Sequence, residues 1–563
     1  MSDYIRKKIR VGDLLVNAGV INDKQLEKAL QLQKGTGRKL GETMLDANML
    51  TEEQLAKVLS EQLGYELVDL TNVIISDQVQ ALVAVNVLKK KKCIPIEFDK
   101  ENVNVLRVAM ADPLDLDAID DISIITGCQV EPVIATSHQI MLTLDRLYGQ
   151  DDVTSALEQF AKEKLVVEEE DIYSEDINSS PVVMLVKDLI EKAARQRASD
   201  IHIEALEKSV RVRYRIDGTL YERVRYDIKI LPAIVARIKI IGGMDISEKR
   251  KPQDGRITQI VDRVEYDIRV SVLPSVYGEK IVMRLAAKHA LNREKSKLGL
   301  KPNEMKQFDR ILRNPHGILL VTGPTGSGKS TTLYTALSEL NTEGVNIITV
   351  EDPVEANIDG INQVQVNNKA DLTFATALRS ILRQDPDIIM IGEIRDTETA
   401  AIAVQASITG HLVVSTLHTN SAASAITRLE DMGVESYLIA DSVVGVIAQR
   451  LVRVLCPHCK RQRQATEEEL ELLDEAPGTK HMVYEPVGCP KCDGMGYHGR
   501  TGVYEIIEMT PELKRIISKH GSAEDIKKQA LAEGMHTLHM SAKEYVNEGI
   551  TTVSEMMKVS FDI

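Results

Sequence analysis

The stretch that decides the fold is residues 317–332, whose sequence is GILLVTGPTGSGKSTT. It opens with an apolar run typical of a buried strand, and a glycine-rich segment and a helix start follow. Within it, residues 323–330 fit the pattern G-x-x-x-x-G-K-[ST], in which glycines let backbone N–H groups approach a polyphosphate closely. The apolar strand disfavours the alternative interpretation, a flexible surface loop. The sequence therefore predicts a phosphate-binding loop.

The residues of this loop have distinct expected roles. We expect Lys329 to neutralise the β- and γ-phosphates of a nucleotide, and the Ser330 hydroxyl to bind Mg²⁺. The helix that follows would direct its positive end at the same anion. The predicted phosphate-binding residues are Gly323, Pro324, Thr325, Gly326, Ser327, Gly328, Lys329, Ser330 and Thr331.

Length and composition limit the class of protein. The chain has 563 residues, which is too long for one core and predicts three or four domains. Its net charge of −15 disfavours general affinity for nucleic acid or anionic lipid. The N-terminus lacks the apolar region of a signal peptide, and no run of about 20 apolar residues follows. We therefore expect a cytoplasmic protein that meets the inner face of a membrane only through partners.

The first 62 residues contain an internal repeat. Val11-Gly12, Leu26, Leu30 and Gln33 recur 29 positions later as Leu40-Gly41, Leu55, Leu59 and Gln62. Each copy predicts a short helix, a turn and a second helix, which is capped by Asn22 in the first copy and by Thr51 in the second. In the simplest interpretation, two stacked helical hairpins serve as a docking module.

The segment between the repeat and the phosphate-binding loop predicts further domains. Residues 66–149 alternate apolar strands with helices, which is typical of a small α/β domain. Residues 151–180 form a charge block that ends in small polar residues and is followed by Pro181, which predicts a solvated linker. After a helix at 182–197, two hairpins are expected, and Asp217-Gly218 marks the first turn.

One predicted strand of this second domain carries an arginine stripe. Strict alternation places Arg211, Arg213 and Arg215 on the same face of the strand. Such a stripe is either a solvated sheet face or a surface that meets a neighbouring subunit's nucleotide.

Three more buried strands follow the loop in sequence. The strand at 346–350 ends in Glu351-Asp352-Pro353-Val354-Glu355, and the strand at 387–391 ends in Gly392-Glu393. Ligands bind beyond the carboxyl ends of such strands, so we expect both acidic clusters to face the phosphates and to hold Mg²⁺ or orient water. A third strand lies between His411 and His418, which are either structural or sensors of the γ-phosphate.

The cysteines fall into two groups. Cys456, Cys459, Cys489 and Cys492 form two C-x-x-C pairs, a spacing that predicts a structural tetrahedral Zn²⁺ site. Disulfides or a redox pair are the alternatives, which a reducing compartment disfavours, and His458 is an alternative fourth ligand. Cys93 and Cys128 stand alone in apolar surroundings, so we expect them to pack in a core.

These motifs, in this order, resemble those of the secretion ATPases, and within them the PilB/GspE branch that powers type IV pilus assembly and type II secretion. The resemblance covers essentially the whole chain. It implies an α/β fold with a RecA-like P-loop ATPase core at 291–563, including a zinc-binding insertion at 456–492 and C-terminal helices. It also implies an α+β PAS-like, nucleotide-clamping domain at 181–290, the linker at 151–180, and an N-terminal helical-repeat plus α/β domain at 1–150.

The same resemblance implies roles for individual residues. Glu393 corresponds to the catalytic glutamate, and it would share Mg²⁺ with Ser330. Four arginines would approach the phosphates, because a guanidinium stays charged and pairs with phosphate in a bidentate way. These are Arg269 and Arg284 from the second domain, and Arg383 and Arg395 from the core. The implied catalytic set is Glu393, Lys329, Glu351, His418 and His411.

The N-terminal repeat also resembles the N-terminal domain of MshE-type ATPases, in which tandem motifs of this form bind cyclic di-GMP. Lys39 takes the place of Arg10 in the second copy, and lysine cannot stack or form a bidentate pair as arginine can. Binding of cyclic di-GMP and plain docking therefore both remain open. The implied residues are Arg10, Gly12, Leu26, Leu30, Gln33, Gly41, Leu55, Leu59 and Gln62.

The expected function is that of a hexameric ATPase that uses ATP, Mg²⁺ and Zn²⁺ to extrude pilin through an inner-membrane platform protein. A cytoplasmic accessory ring protein is a further expected partner. A type II secretion ATPase that drives pseudopilus assembly is the first alternative. A nucleotide-binding regulatory scaffold is the second, although the intact set of Lys329, Ser330 and Glu393 argues against it. A nucleic-acid translocase is the third, which the net charge disfavours.

Overall fold

The computed structural model describes residues 11–36, 39–47, 49–73, 75–99, 102, 104–148, 181–287 and 294–560. Arg10 and the predicted linker at 151–180 lie outside these residues. The described part of the chain divides into two compact units, Met1–Ile216 with Leu220–Leu285, and Asp217–Thr219 with Ala286–Ile563. Within the same described residues, no helix is both long and apolar enough to cross a membrane.

The first unit begins with the predicted repeat. Its helices are α1 (Val11–Asn17), α2 (Asp23–Thr36), α3 (Leu40–Asp46) and α4 (Glu52–Leu63). Thr51 and Gln54 cap α4 reciprocally, and Asn22 and Gln25 exchange the same two hydrogen bonds at the start of α2. The prediction of two helical hairpins with these caps is confirmed.

An α/β module follows the repeat, as predicted. In its sheet, β2 pairs antiparallel with β1 and parallel with β3, and Cys93 is buried in the core while Cys128 packs at its edge. The elements are α5 (Asp77–Gln80), α6 (Val85–Lys91), β1 (Cys93–Phe98), β2 (Val105–Met110), α7 (Leu116–Thr126), β3 (Gln129–Ile134) and α8 (Ser137–Tyr148).

A larger sheet then forms, with the strand order β6-β5-β4-β9-β8-β7. The turn Asp217-Gly218 has positive φ at both residues, as the predicted tight hairpin requires. The elements are α9 (Pro181–Arg195), β4 (Ala198–Ala205), β5 (Ser209–Ile216), β6 (Thr219–Asp227), α10 (Leu231–Ile241), β7 (Gln253–Val261), β8 (Val264–Ser275) and β9 (Gly278–Ala287).

The arginine stripe lies on one face of β5, as the alternation predicts. Arg211 and Arg213 each donate to Glu204 of the neighbouring strand, with nitrogen–oxygen distances of 2.9 and 2.7 Å. Arg215 pairs with Asp200 at 3.5 Å. In the described protein these arginines are therefore matched with carboxylates of their own sheet.

The second unit contains the sheet that carries the phosphate-binding loop, with the order β12-β11-β13-β14-β10-β15-β18. The strand β10 is buried along its whole length and pairs in parallel with β14 and β15. The strands of this sheet are β10 (Gly317–Thr322), β11 (Ile347–Glu351), β12 (Asn362–Gln365), β13 (Ile388–Ile391), β14 (Leu412–Leu417), β15 (Val443–Leu455) and β18 (Tyr497–Glu508).

Helices cover this sheet, and β16 (Arg461–Gln464) pairs with β17 (Met482–Glu485) beside it. The C-terminal helices contribute Leu513, Ile526 and Val546 to buried clusters, so the prediction that they pack on the core is confirmed. The helices are α11 (Pro302–Leu312), α12 (Lys329–Leu340), α13 (Phe374–Ile381), α14 (Thr397–Ile408), α15 (Ala422–Asp431), α16 (Ser436–Ser442), α17 (Glu467–Leu472), α18 (Pro511–Ser518), α19 (Ala523–Ala532), α20 (Leu538–Asn547) and α21 (Val553–Ser560).

Candidate functional site

The predicted phosphate-binding loop connects the end of β10 to the start of α12. Its backbone packs so closely on β15 that a Cβ at Gly323 would lie 2.5 Å from the Gln449 carbonyl oxygen. A Cβ at Gly328 would lie 2.8 Å from Gln449 Nε2, and φ is +91° there. Glycine is required at both positions, by space and by conformation. The two glycines thereby allow the loop to lie against β15, with the N-terminus of α12 at its end.

Lys329 lies across the inside of this loop. Its Nζ donates hydrogen bonds to the carbonyl oxygens of Gly323 and Pro324, at 2.7 and 3.1 Å. Burial lowers the pKa of Lys329 to about 8, although the nearby Glu393 carboxylate acts in the opposite direction. The charge of Arg450 lowers the pKa further. A bound phosphate group would raise the pKa of this lysine back toward its usual value.

Glu393 follows β13 and lies at the same edge of the sheet. Its side chain is only 15% exposed, and one of its oxygens lies 3.4 Å from His418 Nε2. The other oxygen accepts a hydrogen bond from Arg395. Because β13, β14 and β10 are parallel neighbours, their carboxyl ends meet, and the sheet brings together Lys329, Glu393, His418 and Arg395.

The prediction that both acidic clusters face the phosphates is wrong for Glu351. This carboxylate is buried at the end of β11, which is separated from β10 by two strands. One of its oxygens accepts a hydrogen bond from the Tyr334 hydroxyl. The other accepts from Thr349 Oγ1 at 2.6 Å and from Gln363 Nε2 at 3.1 Å. With both oxygens engaged in the core, Glu351 ties α12 and β12 to β11.

The two histidines of the third strand are separated, so His411 cannot sense the γ-phosphate at the loop of its own chain. In the parallel register, Leu412 pairs with Gly317 and Leu417 pairs with Thr322. His411 therefore lies beside the start of β10, about 20 Å from the loop end at ~3.3 Å per residue. Its Nδ1 lies 2.9 Å from the Ala406 carbonyl oxygen. Only His418 is at the carboxyl edge.

The predicted arginines differ in their surroundings. Arg383 follows α13 and donates to the Arg379 carbonyl oxygen at 2.8 Å, which turns its guanidinium back along its own helix. Arg395 is paired with Glu393. Arg269 and Arg284 belong to the first unit, where Arg284 donates to Asp200 Oδ1 at 3.0 Å and Arg269 pairs with Asp267 at 3.9 Å.

Sequence reasoning missed two buried polar residues of β15, the strand that lies against the loop. Gln449 Oε1 accepts a hydrogen bond from Thr332 Oγ1 at 2.7 Å, which joins β15 to α12. Arg450 is buried, and its Nη2 donates to Asn420 Oδ1 at 3.1 Å. No local motif marks either residue, because their importance depends on which strand lies beside β10.

The four cysteines of the two C-x-x-C pairs converge. Their Sγ atoms all lie within 4.8 Å of one another. Three of the Sγ–Sγ distances, Cys456–Cys489, Cys459–Cys492 and Cys489–Cys492, are 3.8 Å. A tetrahedron with Zn–S bonds of about 2.3 Å has edges of about 3.8 Å. The cysteines are free thiols rather than disulfides, and His458 is not part of the cluster in the described residues. This donor set fits Zn²⁺.

Backbone groups support this cluster. The amide N–H groups of Cys489 and Gly496 point at Cys492 Sγ, with nitrogen–sulfur distances of 3.2 and 3.1 Å. Such N–H donors stabilise a thiolate, which is the form that binds a metal.

The residues implied in cyclic di-GMP binding fall into two groups. Gly41, Leu55 and Leu59 of the second copy line a cavity of about 600 Å³. Gly12, Leu26, Leu30 and Gln33 of the first copy are not among its lining residues, and Leu30 is 42% exposed. Arg10 lies outside the described residues, and Gln62 is placed near the end of α4. The structure thus unites only part of the implied set.

Comparisons with known proteins extend these observations. The family described as Type II/IV secretion system protein matches residues 175–558, and the MshEN domain matches residues 63–154. The chain is 42% identical to the Type IV pilus assembly ATPase PilB of Myxococcus xanthus, over 97% of this chain and 98% of that protein. It is 46% identical to the Type II secretion system ATPase E of Vibrio cholerae, over 73% of this chain and 80% of that protein.

Among solved structures, the Legionella pneumophila ATPase DotB matches with a TM-score of 0.50 and 22% identity, over 70% of this chain and 97% of that one. At this identity the match supports the predicted RecA-like fold alone. The MshEN match begins at residue 63, directly after the repeat, and covers the α/β module.

Proposed function

The chain belongs to the Type II/IV secretion system protein family, as a PilB/GspE-type secretion ATPase with an MshE-like N-terminal domain, and from this premise we propose that it is a hexameric ATP hydrolase that drives type IV pilus assembly. The observation that carries the ATPase proposal is the meeting of Lys329, Glu393 and His418 at one edge of the parallel sheet. In this proposal the motor works in the cytoplasm and reaches the inner membrane through a platform protein. A cytoplasmic accessory ring protein is a further proposed partner.

Pilus assembly is preferred because the match to the pilus assembly relative runs along nearly the whole chain, N-terminal module included. The match to the type II secretion relative covers a shorter part of the chain, although identity within that part is slightly higher. A type II secretion motor that builds a pseudopilus is therefore the second candidate.

In the proposed reaction, ATP binds between the loop and the carboxyl ends of β13 and β14. Lys329 exchanges the carbonyl oxygens of Gly323 and Pro324 for phosphate oxygens, because its Nζ already lies within the loop that would hold them. Ser330, in the first turn of α12, is exposed and would hold Mg²⁺, whose charge would stabilise the phosphates during transfer. Backbone N–H groups at the start of α12 add further positive potential.

Glu393 is proposed to orient the attacking water and to receive its proton. For this, the carboxylate must exchange its bond with Arg395 for the water, and Arg395 then becomes available to the phosphates. His418 keeps the second oxygen of Glu393 in place. The burial of Glu393 limits access of bulk water to this step.

Three measurements test this function. The purified full-length protein should hydrolyse ATP, sediment as a hexamer, and restore pili to a strain that lacks its own pilus assembly ATPase. Restoration of type II secretion but not of pili would favour the second candidate. Absence of turnover in the assembled hexamer would favour a regulatory scaffold, and hydrolysis stimulated by DNA would favour a translocase.

The lowered pKa of Lys329 makes ATP binding depend on pH. Near pH 7 the lysine is charged in the free loop, whereas above pH 8 it is largely neutral and must take up a proton when phosphate binds. We expect affinity for ATP to fall up to tenfold per pH unit above pH 8. Calorimetry in two buffers should show uptake of about one proton at pH 9 and almost none at pH 7. The Lys329→Arg variant is the control, because arginine stays charged, and equal uptake in this variant would contradict the assignment.

The two histidines provide a matched pair of variants. We expect His418→Gln to lower kcat about tenfold, because Glu393 loses a partner that positions its carboxylate. His411→Gln should change kcat less than twofold, because the side chain lies at the opposite end of β14. Steady-state hydrolysis at saturating ATP measures both. Equal losses in the two variants would contradict the placement of His418 at the reaction centre.

Two further ligands are proposed. Cys456, Cys459, Cys489 and Cys492 would hold a structural Zn²⁺, in agreement with their spacing in the structure. The cavity beside Gly41, Leu55 and Leu59 supports cyclic di-GMP as a ligand of the N-terminal module, and plain docking remains the alternative. Binding of cyclic di-GMP to the full chain, with a change in ATP turnover, would make the module a sensor coupled to the motor.

A further inference from the structure

The hairpin of β7 and β8 ends in a turn that lies against the N-terminal helices. Val261 pairs with Val264, so the turn consists of Asp262 and Arg263, which we call the hairpin tip. Both residues have positive φ, +45° and +69°, as a tight two-residue turn requires. This geometry fixes the direction of both side chains relative to the sheet.

Asp262 joins the tip to two helices. Arg195, near the end of α9, donates from Nε to Asp262 Oδ2 at 3.1 Å and from Nη1 to Asp145 Oδ2 of α8 at 2.8 Å. The Arg195 side chain is 5% exposed, so this network is shielded from solvent. Burial by itself would raise the pKa of Asp262, but His138 and Arg195 bring it below the usual value. The Asp262 carboxylate is therefore charged and is held by both of these partners.

Arg263 joins the tip to the second copy of the repeat. Its Nε lies 2.8 Å from Asp46 Oδ1, at the end of α3, and its Nη1 donates to Glu52 Oε1 at 2.9 Å, at the start of α4. Glu52 Oε2 also accepts a hydrogen bond from the His138 backbone N–H at 3.2 Å. One guanidinium thus spans both helices of this copy, a geometry that lysine could not reproduce.

The same arginine is part of the cavity wall. Arg263 and Glu52 line the cavity of about 600 Å³ together with Gly41 and Leu59. Lys39 lines it as well, and its Nζ donates to Asp112 Oδ2 at 2.8 Å. Other cationic lining residues come from the end of α6, and they are Lys90, Lys91 and Lys92. The lining also includes four carboxylates, Glu42, Glu52, Asp112 and Asp115, so the five cations leave a net charge of +1. The three lysines at the end of α6 are where an anionic ligand would be favoured.

We propose that the hairpin tip is the element that docks the N-terminal module on the larger sheet, and that Arg263 completes the cavity only while the tip is docked. An anionic ligand then binds the docked form more tightly than the undocked form. By thermodynamic reciprocity, the ligand strengthens docking by the same factor. The identity of the ligand rests on the cyclic di-GMP proposed above, whereas the docking role of the tip does not.

The test uses full-length protein and two readouts, which are hydrogen exchange of the α3–α4 and hairpin-tip peptides, and affinity for cyclic di-GMP by calorimetry. Arg263→Gln should raise exchange in both peptides and weaken binding at least tenfold. Asp262→Lys should also raise exchange and weaken binding, because the new cation faces Arg195. Asp262 itself is not a lining residue of the cavity. Asp262→Asn keeps the turn and should give a smaller change of about threefold. Arg250→Gln is the matched control and should change neither readout, because Arg250 is exposed and pairs with the nearby Glu248.

The outcomes separate the two parts of the proposal. Wild-type exchange rates in Arg263→Gln and Asp262→Lys would overturn the docking role. Faster exchange with wild-type affinity in Asp262→Lys would overturn the coupling to the cavity. If the wild-type protein binds no cyclic di-GMP, the dinucleotide proposal and the coupling fail, and the exchange rates of the variants still decide whether the tip docks the module.

Discussion

Replacement of Glu393 by glutamine is expected to leave ATP binding intact and to lower hydrolysis at least 100-fold. Glutamine has the same shape, and its amide oxygen can still accept the hydrogen bond from Arg395, so we expect the phosphate-binding loop to be unchanged. An amide cannot accept the proton of the attacking water, and loss of a general base costs typically 10²- to 10⁴-fold. Steady-state turnover measures the loss, and the affinity of a fluorescent ATP analogue measures binding.

Glu398→Gln is the matched control for this prediction. Glu398 is an exposed glutamate on α14 that pairs with Arg379, and it lies only a few residues beyond Glu393 in the chain. Its variant should turn over ATP at the wild-type rate. Wild-type turnover in Glu393→Gln would remove this residue from the proposed role, and loss of ATP binding in that variant would indicate a role in loop structure instead.

The strand and helix around the loop were predictable because their signals are local. The apolar run that became β10, the glycines, and the start of α12 at Lys329 all lie within one short segment. The caps of the repeat are equally local, since Thr51 and Gln54 are three residues apart. Where propensity, spacing and capping agree within a few residues, sequence alone is sufficient.

The errors concern residues whose surroundings come from distant parts of the chain. Glu351 is held by Tyr334 and Gln363, and no pattern near Glu351 indicates that these side chains converge on it. The error for His411 arises from strand direction, because in a parallel sheet only one end of each strand reaches the ligand edge.

The hairpin tip was missed for a related reason. Asp262 and Arg263 form a recognisable polar turn between alternating strands, but the partners of Arg263, which are Asp46 and Glu52, lie about 200 residues away in the chain. A single sequence contains no signal for such pairing. The same limit applies to Gln449, whose contact with the loop depends on β15 lying next to β10.

The second large effect is expected at the cysteine cluster. Cys459→Ser should reduce bound zinc from about one ion per chain to almost none, because structural zinc sites in proteins are four-coordinate and use thiolate or imidazole ligands. The cluster joins the end of β15 to the segment that leads into β18, so loss of the metal removes a cross-link between paired strands. We expect a loss of stability on the order of 4 kcal/mol, at the upper end of the effects of single substitutions, because loss of a metal is among the causes of the largest ones. Metal analysis and thermal unfolding measure the two effects.

Cys128→Ser is the control, because Cys128 is a half-buried thiol in the first unit whose Sγ lies 3.5 Å from the Thr126 carbonyl oxygen. This variant should keep its zinc. His458→Gln should also keep it, because the described cluster consists of the four sulfur atoms. Zinc that persists in Cys459→Ser but disappears in His458→Gln would show that histidine is the fourth ligand. Zinc unchanged in both variants would place the metal elsewhere, and the convergence of the four Sγ atoms would then be a feature of packing alone.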